Sequence, residues 1–594
     1  MRRIFRITII ILAALFLIYV SVNSLPSGAA IDKNLTVATL IATPLYGAPV
    51  ETAGNIDDLP FQDNPVVYQN DSPGSVVTMY LTIRKGNSSD KTDYTWQQIN
   101  DFTKYWELED KVVEVGKAEA IVQFGNETGP LPGEVGYGAL TPNGTIQIRG
   151  ATTSLAPQKS YKVELFNNAG TWRGQSTINL NKHIYDGSRF RNKLSFDLLK
   201  DIPDMISLRT QFVHVYVKDE TSDPVQTEFV DYGLFTQVEQ PNKRFLESRH
   251  LDRDGQFYKA NDFEFYRYAD QIRLVTDSLY DADSFSLRLE IKGNKDHAKL
   301  IQLLDDVNNY DIPIEQTFEK YFNSDNYFTW MAFNILVGNI DTQSQNYFLY
   351  SPKNGTKWYF IPWDYDDAFP LQNQPNLVSY SIAPWENGVS NYWGVVLHRR
   401  VLSVEKYRKT LDEKVLEVKE ILTPQRIENL IKLYQPVVDQ YTQVLPDNYY
   451  MPSDPSQSHL IANLIPGDVE TNYNLYVESL KKPMPFYLGE PTLSDGKLSF
   501  AWDESHDFNG EDISYHFQIA KDWAFNDVVF DQVLTNTTNI QVDMLSPGEY
   551  FWGVVATNTS GYSQYPFDKY YDTDSRSHPG VKRFYVTPDG EVLE

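Results

Sequence analysis

Hydrophobic periodicity changes twice along this chain, so no single repeating architecture can accommodate it. Between Val76 and Glu239 apolar residues alternate with polar ones, the two-residue period of half-buried strands. Val77-Thr78-Met79-Tyr80-Leu81-Thr82-Ile83 is one such run, and Thr145–Arg149, Ser160–Leu165, Phe212–Val217 and Tyr232–Glu239 continue it. From Ala298 onward the spacing becomes three and four, predicting helices over Ala298–Val307, Ile314–Val337, Tyr407–Leu422 and Pro424–Leu445. Strand signals return after residue 484. The pattern predicts an α+β body over 76–482 with a two-lobed outline, strand-rich then helical, and a separate β-domain over 484–588.

The first thirty residues have another character. Met1-Arg2-Arg3-Ile4-Phe5-Arg6 is basic, and Ile7 to Val22 is uncharged and almost wholly apolar. Small and polar residues follow, so 1–30 is predicted to be a signal peptide or an uncleaved signal anchor, placing the bulk of the protein outside the cytoplasm. Residues 31–75 are expected to be a tether and an extended lead-in. Among 594 residues there is no cysteine, which excludes disulfides, thiol nucleophiles, Cys-ligated zinc and iron–sulfur clusters. An exported protein of this length without cysteine suggests a bacterial or archaeal cell surface, membrane-anchored or secreted. Fifty-two Lys and Arg against 79 Asp and Glu leave a charge of −27, which repels phosphate backbones and argues against nucleic acid as a partner.

The C-terminal region carries short strand signals at Lys497–Trp502, Tyr515–Ala520, Ile540–Val542 and Tyr550–Ala556. Leu545-Ser546-Pro547-Gly548-Glu549-Tyr550 looks like a tyrosine corner, in which a Tyr hydroxyl bonds back to nearby backbone. With Trp502 on an early strand, the region resembles a fibronectin type III domain. That implies a β-sandwich acting as spacer or binding module, without catalysis.

Residues able to do chemistry gather between 338 and 367. Gly338-Asn339-Ile340-Asp341-Thr342-Gln343-Ser344-Gln345-Asn346 follows a predicted helix and leads into a strand. The turn Lys353–Thr356 joins it to a second strand, Lys357–Pro362, followed by Trp363-Asp364-Tyr365-Asp366-Asp367. Such a hairpin would bring Asp341, Asn346 and Asp364 to one end. Carboxylates beside apolar strands need a partner, and these hard oxygens favour Mg²⁺ or Mn²⁺ over zinc. Asp341-x-x-x-x-Asn346 has the spacing of a protein-kinase catalytic loop, and Asp364 stands where a kinase places its metal-binding Asp. A structural Ca²⁺ site or a solvated acidic turn has the same composition. Elsewhere, Asp252-Arg253-Asp254-Gly255 reads as a β-turn, and Tyr380–Trp393 as a packed loop in preference to a substrate rim.

The stretch Gly338-Asn339-Ile340-Asp341…Asn346-Tyr347…Leu349-Tyr350, followed by Trp358…Phe360-Ile361-Pro362-Trp363-Asp364-Tyr365-Asp366, closely resembles the spore-coat CotH kinase-like family. Ile148-Arg149-Gly150…Pro157-Gln158-Lys159-Ser160-Tyr161-Lys162-Val163, Phe190–Leu198, Tyr232–Gln240 and Gln256–Ala260 stand in the family's order. The resemblance implies an atypical protein-kinase-like fold over about 76–480, ATP as substrate, a divalent metal, and phosphorylation of Ser or Thr in exported proteins. Carried over by position, Asp341 would be the catalytic Asp, and Asn346 and Asp364 metal ligands. Asp366 would be a second ligand or a structural acid. Lys159 or Lys162 would meet the phosphates, with Arg149 as a further candidate. Lys162 lies within a strand, opposite in face to Tyr161. Glu239 would be a hinge, an ion-pair partner of the Lys, or a surface acid. Two features depart from the family pattern. Gln343-Ser344-Gln345 occupies the stretch where many members carry a His, and no G-x-G-x-x-G precedes a strand. The Gly-rich run Gly125–Gly144 is read as a surface loop in preference to a cover over the phosphates. The resulting expectation is an exported kinase that transfers the ATP γ-phosphate to a cell-surface or coat protein. The alternatives are an inactive pseudokinase serving adhesion or assembly, or a calcium-bound envelope protein.

Overall fold

The computed structural model describes residue 57 and residues 61–103, 115–370 and 383–593, other than 453 and 575. The expected leader, 1–30, lies outside them. Among the described residues no helix is long and apolar enough to cross a membrane. The protein is a mixed α+β structure with large sheets.

The strands of the first half are β1 (Val76–Arg84), β2 (Ala118–Asn126), β3 (Gly129–Pro130), β4 (Gly144–Arg149), β5 (Ser160–Leu165), β6 (Thr177–Asn181), β7 (Thr210–Asp219) and β8 (Val230–Glu239). Their order is β1-β7-β8-β6-β5-β4-β2-β3, and β1 also pairs with β2, so the sheet closes into a ring. β1 runs parallel to β7 and antiparallel to β2. Closure removes the unpaired edges that an open sheet would expose. Alternation then sorts the side chains. Met79, Leu81, Val122, Ile146, Tyr161, Val163, Ile178 and Val215 share one inner core, whereas Arg149, Lys162 and Glu164 alternate to the other face. The helix Trp96–Asp101, started by a Thr95–Gln98 capping box, adds Trp96 and Ile99 to that core.

The second sheet, β9 (Gln256–Ala260), β10 (Leu289–Ile291), β11 (Tyr347–Ser351) and β12 (Tyr359–Pro362), has the order β10-β9-β11-β12. β11 and β12 form the expected hairpin, with Tyr347 opposite Pro362. Both strands are fully buried, which is why they read as continuous apolar runs. Helices Ala298–Asn308, Glu405–Ile421 and Pro424–Thr442 match the periodicity. The single helix expected over Ile314–Val337 is two, Ile314–Tyr321 and Ser324–Leu336. Asn323 divides them because its side chain caps the second helix by accepting from the Asn326 N–H. Residues 61–75 are anchored to the rest of the protein at particular side chains. Phe61 stacks on Tyr359 at 4.2 Å, and Asp63 pairs with Arg249 at 3.2 Å.

Beyond residue 484, a three-stranded sheet (Thr492–Ser494, Lys497–Ala501, Asn539–Asp543) and a second sheet built around Ile513–Ala520 and Gly548–Asn558 share a core of Phe500, Trp502, Phe517, Trp552 and Phe584. The Tyr550 hydroxyl donates to the Ser546 carbonyl at 2.9 Å.

The Gly-rich run is tied to the ring through a charged histidine. His214 of β7 has Nδ1 2.9 Å from Glu127 and Nε2 2.8 Å from Asp231. Burial opposes its charge, but hydrogen bonds and attraction from Asp231 and Glu127 raise its pKa to about 9. The folded value exceeds the unfolded one, so this stabilisation is complete below pH 6.5 and is lost as pH rises through about 9. Denaturant midpoints should fall across that window by an amount equivalent to about 3 kcal/mol, and His214→Gln should flatten the dependence. An unchanged slope in the variant would remove His214 as its source.

Candidate functional site

Helix Ser324–Leu336 ends at Gly338, whose φ of +64° suits glycine and whose missing Cβ makes room for the Asn472 amide. The short 3₁₀ turn Ile340–Thr342 then presents Asp341. Its carboxylate accepts from the Asn346 amide at 2.9 Å and from the Gln345 amide. Asn346 also donates to the Asp341 carbonyl at 3.2 Å. Asn346 and Asp364 both have φ of +59°, a left-handed conformation that Asn and Asp tolerate better than other residues with a Cβ. Because Tyr347 faces Pro362, the residues just outside the hairpin, Asn346 and Trp363-Asp364, stand at the same end. The Asn339 amide reaches the Asp364 carbonyl at 3.5 Å. The register thus brings Asp341, Asn346 and Asp364 together at one end of the hairpin.

Further acids crowd this end. Asp366 keeps 41% of its side-chain surface, yet the protein walls around it, then Asp364, Asp367, Asp341 and Asp186, push its pKa well above the carboxylate range. Burial and Asp341 raise Asp367 to about 8 against the opposing pull of Arg191. His183 Nδ1 is 4.0 Å from Asp366, but burial lowers the His183 pKa to about 4, so at neutral pH it adds no balancing charge. Two cations do sense the acids. Arg149, at the end of β4, lies 5.7 Å over the Trp363 ring. Burial lowers its pKa while Asp364 and Asp366 raise it. Lys259 of β9 is likewise lowered by burial and drawn up by Glu290 and Asp364. Among the described residues neither cation has an ion-pair partner within 4.0 Å.

The loop carrying these acids is pinned from behind by helix Arg191–Leu199. Asp186 accepts from the Ser188 N–H (2.8 Å), the Ser188 hydroxyl (2.7 Å), the Arg191 N–H (3.0 Å) and the Arg191 guanidinium. Arg191 Nε donates to the Phe369 carbonyl at 3.0 Å, and the Asn192 side-chain oxygen accepts from the Tyr365 N–H at 3.2 Å. The sequence pattern assigns no role to Arg191 or Asn192 within Phe190–Leu198, nor to Asp367, His183 or Lys259. The available signal was charged and amide residues inside an otherwise apolar segment. The helix is buried on every side, so no amphipathic stripe marked it.

The other expected residues divide. Lys162 shares the face of Arg149, since Gln147 pairs with Lys162 and Arg149 with Ser160. It forms an ion pair with Glu164 at 3.1 Å, and Tyr161 points into the ring core as alternation requires. Lys159 donates to the Ser154 carbonyl at 2.7 Å. Glu239 is an ion-pair partner, but of Arg249, at 2.6 and 3.1 Å, in place of the expected Lys. The buried Arg249 guanidinium needed a carboxylate, and the end of β8 supplies it. Residues 383–393 of the Tyr380–Trp393 segment are packed, and Gly255 N–H closes the expected turn on the Asp252 carbonyl at 3.2 Å.

A metal would meet two acids and an amide here, all hard oxygen donors fitted to Mg²⁺ or Mn²⁺. Among the described residues no group of three or more His, Asp or Glu is placed to hold a metal ion by itself.

Residues 146–482 match the CotH kinase protein family. Inner spore coat protein H of Bacillus subtilis (strain 168) is 26% identical over 226 residues, covering 37% of this chain and 57% of that protein. The chain therefore spans little more than half of that relative's length. Among solved structures, the HipA–HipB toxin–antitoxin system of Shewanella oneidensis MR-1 with its operator DNA is 13% identical, with 67% of this chain and 73% of that one covered and a TM-score of 0.26. The Helicobacter pylori proinflammatory kinase CtkA is 10% identical, with 54% and 94% covered and a TM-score of 0.23. Likenesses this distant carry no argument about fold or mechanism.

Removing the pin behind the acid loop has a measurable consequence. Arg191→Met leaves the Asp186 carboxylate buried without its counter-ion and should cost about 3–5 kcal/mol in denaturant unfolding. Adding Asp186→Asn should restore part of that loss. A double variant no more stable than the single one would show that the ion pair is not what fixes the helix start.

Proposed function

Because the chain belongs to the CotH kinase protein family, we propose that it is an exported atypical protein kinase that transfers the ATP γ-phosphate to a Ser or Thr hydroxyl of a cell-surface or coat protein. One observation carries the reading. Asp341 and Asp364 flank the same end of one hairpin and both act on Asp366, with the cations Arg149 and Lys259 close enough to feel Asp364. In this reading Asp341 orients the acceptor hydroxyl and takes its proton, held in place by the Asn346 and Gln345 amides. Arg149 and Lys259 meet phosphate oxygens, and Lys162 lies farther along the same face as Arg149. Lys159, engaged by the Ser154 carbonyl, is the weaker of the two lysines. Asn346 and Asp364, with Asp366 beside them, would hold Mg²⁺ or Mn²⁺, which when bound supplies positive charge against the phosphates.

The domain assignments belong to the same reading. The strand ring and the helical body are two lobes of a unit spanning 76–482, with 31–75 leading into it. Residues 484–588 form a fibronectin type III-like sandwich, supported by the core shared between two sheets and by the Tyr550–Ser546 bond. The basic and apolar residues 1–30 export or anchor the protein, and the relative named for the inner spore coat supports a surface or coat location. A pseudokinase that binds a partner without phosphoryl transfer is the second reading. Its support is that side-chain amides already engage the Asp341 carboxylate in a loop with no His between Asp341 and Asn346.

Calorimetry and γ-labelled ATP separate the two readings. The full chain should bind ATP more tightly with Mn²⁺ than without it, and should label itself or an added surface protein. Asp341→Ala should lower labelling by about 10³-fold with nucleotide binding retained. Asp364→Ala should abolish the metal dependence of binding, and Arg149→Ala should raise the KM for ATP. Labelling that persists undiminished in Asp341→Ala rejects the kinase reading. Binding without any transfer selects the pseudokinase.

A further inference from the structure

Residues 383–395 follow the acid loop and touch both the candidate site and the C-terminal module. On one side they hold the turn that presents Asp341. The Asn391 amide donates to the Ile340 carbonyl at 3.0 Å, and the Tyr392 and Thr342 hydroxyls are 3.2 Å apart. Ile340 and Thr342 are the residues on either side of Asp341, so the turn is gripped through both of its neighbours.

On the other side the same segment is clamped by residues beyond 484. Lys569 Nζ is 2.6 Å from Glu386 Oε1 and 5.2 Å from the Trp385 ring centre. The second Glu386 oxygen accepts from the Ala383 N–H at 2.7 Å, so the carboxylate that Lys569 holds also fixes the start of the segment. With 11% of its side chain exposed, Lys569 is far less screened by water than a surface cation. Phe567 meets Trp385 edge-on at 5.9 Å, Trp393 stacks on His506 at 5.2 Å, and Phe508 meets Trp393 edge-on at 5.5 Å. Gly394 packs beneath Tyr487 and Phe567. The module is also fastened near the end of helix Pro455–Ser479, where the Asn558 amide donates to the Lys481 carbonyl at 2.9 Å and Met484 N–H to the His506 carbonyl at 2.7 Å.

We propose that the C-terminal module is a working part of the candidate site. Through Glu386–Lys569 and the Trp385 and Trp393 contacts, it sets the position of 383–395 and, through Asn391 and Tyr392, that of the turn presenting Asp341. Glu386 and Lys569 are positioning residues in this scheme. A spacer would need none of these contacts. The coupling is a matter of geometry and holds whatever reaction Asp341 performs; only its effect on turnover rests on the kinase reading.

The test uses the full chain with Lys569→Gln, Phe567→Ala, the charge-conserving Lys569→Arg, and Val533→Ser on an exposed strand of the module as control. Hydrogen exchange followed by mass spectrometry reads peptides spanning 338–350 and 383–395. Lys569→Gln and Phe567→Ala should speed exchange in both peptides about tenfold, Lys569→Arg should restore the slow rates, and Val533→Ser should match the parent. Where the parent labels a substrate, the first two variants should lower kcat by about tenfold with the KM for ATP unchanged, because misplacement of Asp341 touches the transition state more than nucleotide binding. Exchange that quickens in 383–395 but stays at the parent rate in 338–350 overturns the proposal. A parent with no transfer activity but with the predicted exchange pattern upholds the coupling and rejects the kinase reading.

Discussion

Arg191 carries a charge that the fold has moved out of water, with 2% of the residue exposed. A buried guanidinium is tolerated only where its hydrogen bonds are answered. Asp186 answers with a carboxylate that two Ser188 donors and the Arg191 N–H also hold, and the Phe369 carbonyl takes Nε. The acid loop is therefore fastened at its far end to something that cannot move without exposing or orphaning charge. This explains how Asp364, Asp366 and Asp367 can stand near Asp341 despite their repulsion. The backbone that carries them is not free to relax outward, so the repulsion appears as raised pKa values at Asp366 and Asp367.

A second buried pair joins the strand ring to the helical body. Lys182 Nζ lies 2.7 Å from Asp447 and donates to the Tyr232 and Leu234 carbonyls. Asp447 in turn accepts from the Leu234 N–H at 2.7 Å. Gly233 makes this approach possible, since a Cβ there would lie 2.3 Å from the Asp447 carboxylate. The ring thus meets the rest of the molecule through specific polar contacts as well as apolar packing, which fixes one relative placement where apolar surface alone would allow several. That placement sets Arg149, at the end of β4, over Trp363.

The hairpin and its flanking acids are legible in the sequence. A turn between two apolar runs, with Asp and Asn just outside them, has few ways to fold, and strand alternation correctly separated Lys162 from Tyr161. The pins were not legible. Arg191, Asn192 and Asp186 lie in segments without amphipathic contrast, and a residue buried on every side leaves no periodic trace. The partner of Glu239 was equally hidden, because Arg249 comes from a different segment and nothing local distinguishes it from a surface arginine.

By itself the sequence determined the mixed α+β character and most of the strands and helices between Val76 and Thr442, because these follow from local periodicity. Tertiary structure alone decided that the first sheet closes on itself, that Lys259 joins Arg149 beside Asp364, and that the C-terminal module reaches the Asp341 turn through Glu386 and Asn391. The physical reason is separation along the chain. Such contacts join groups tens to hundreds of residues apart, and their energy depends on burial and charge that arise only once the two segments have met.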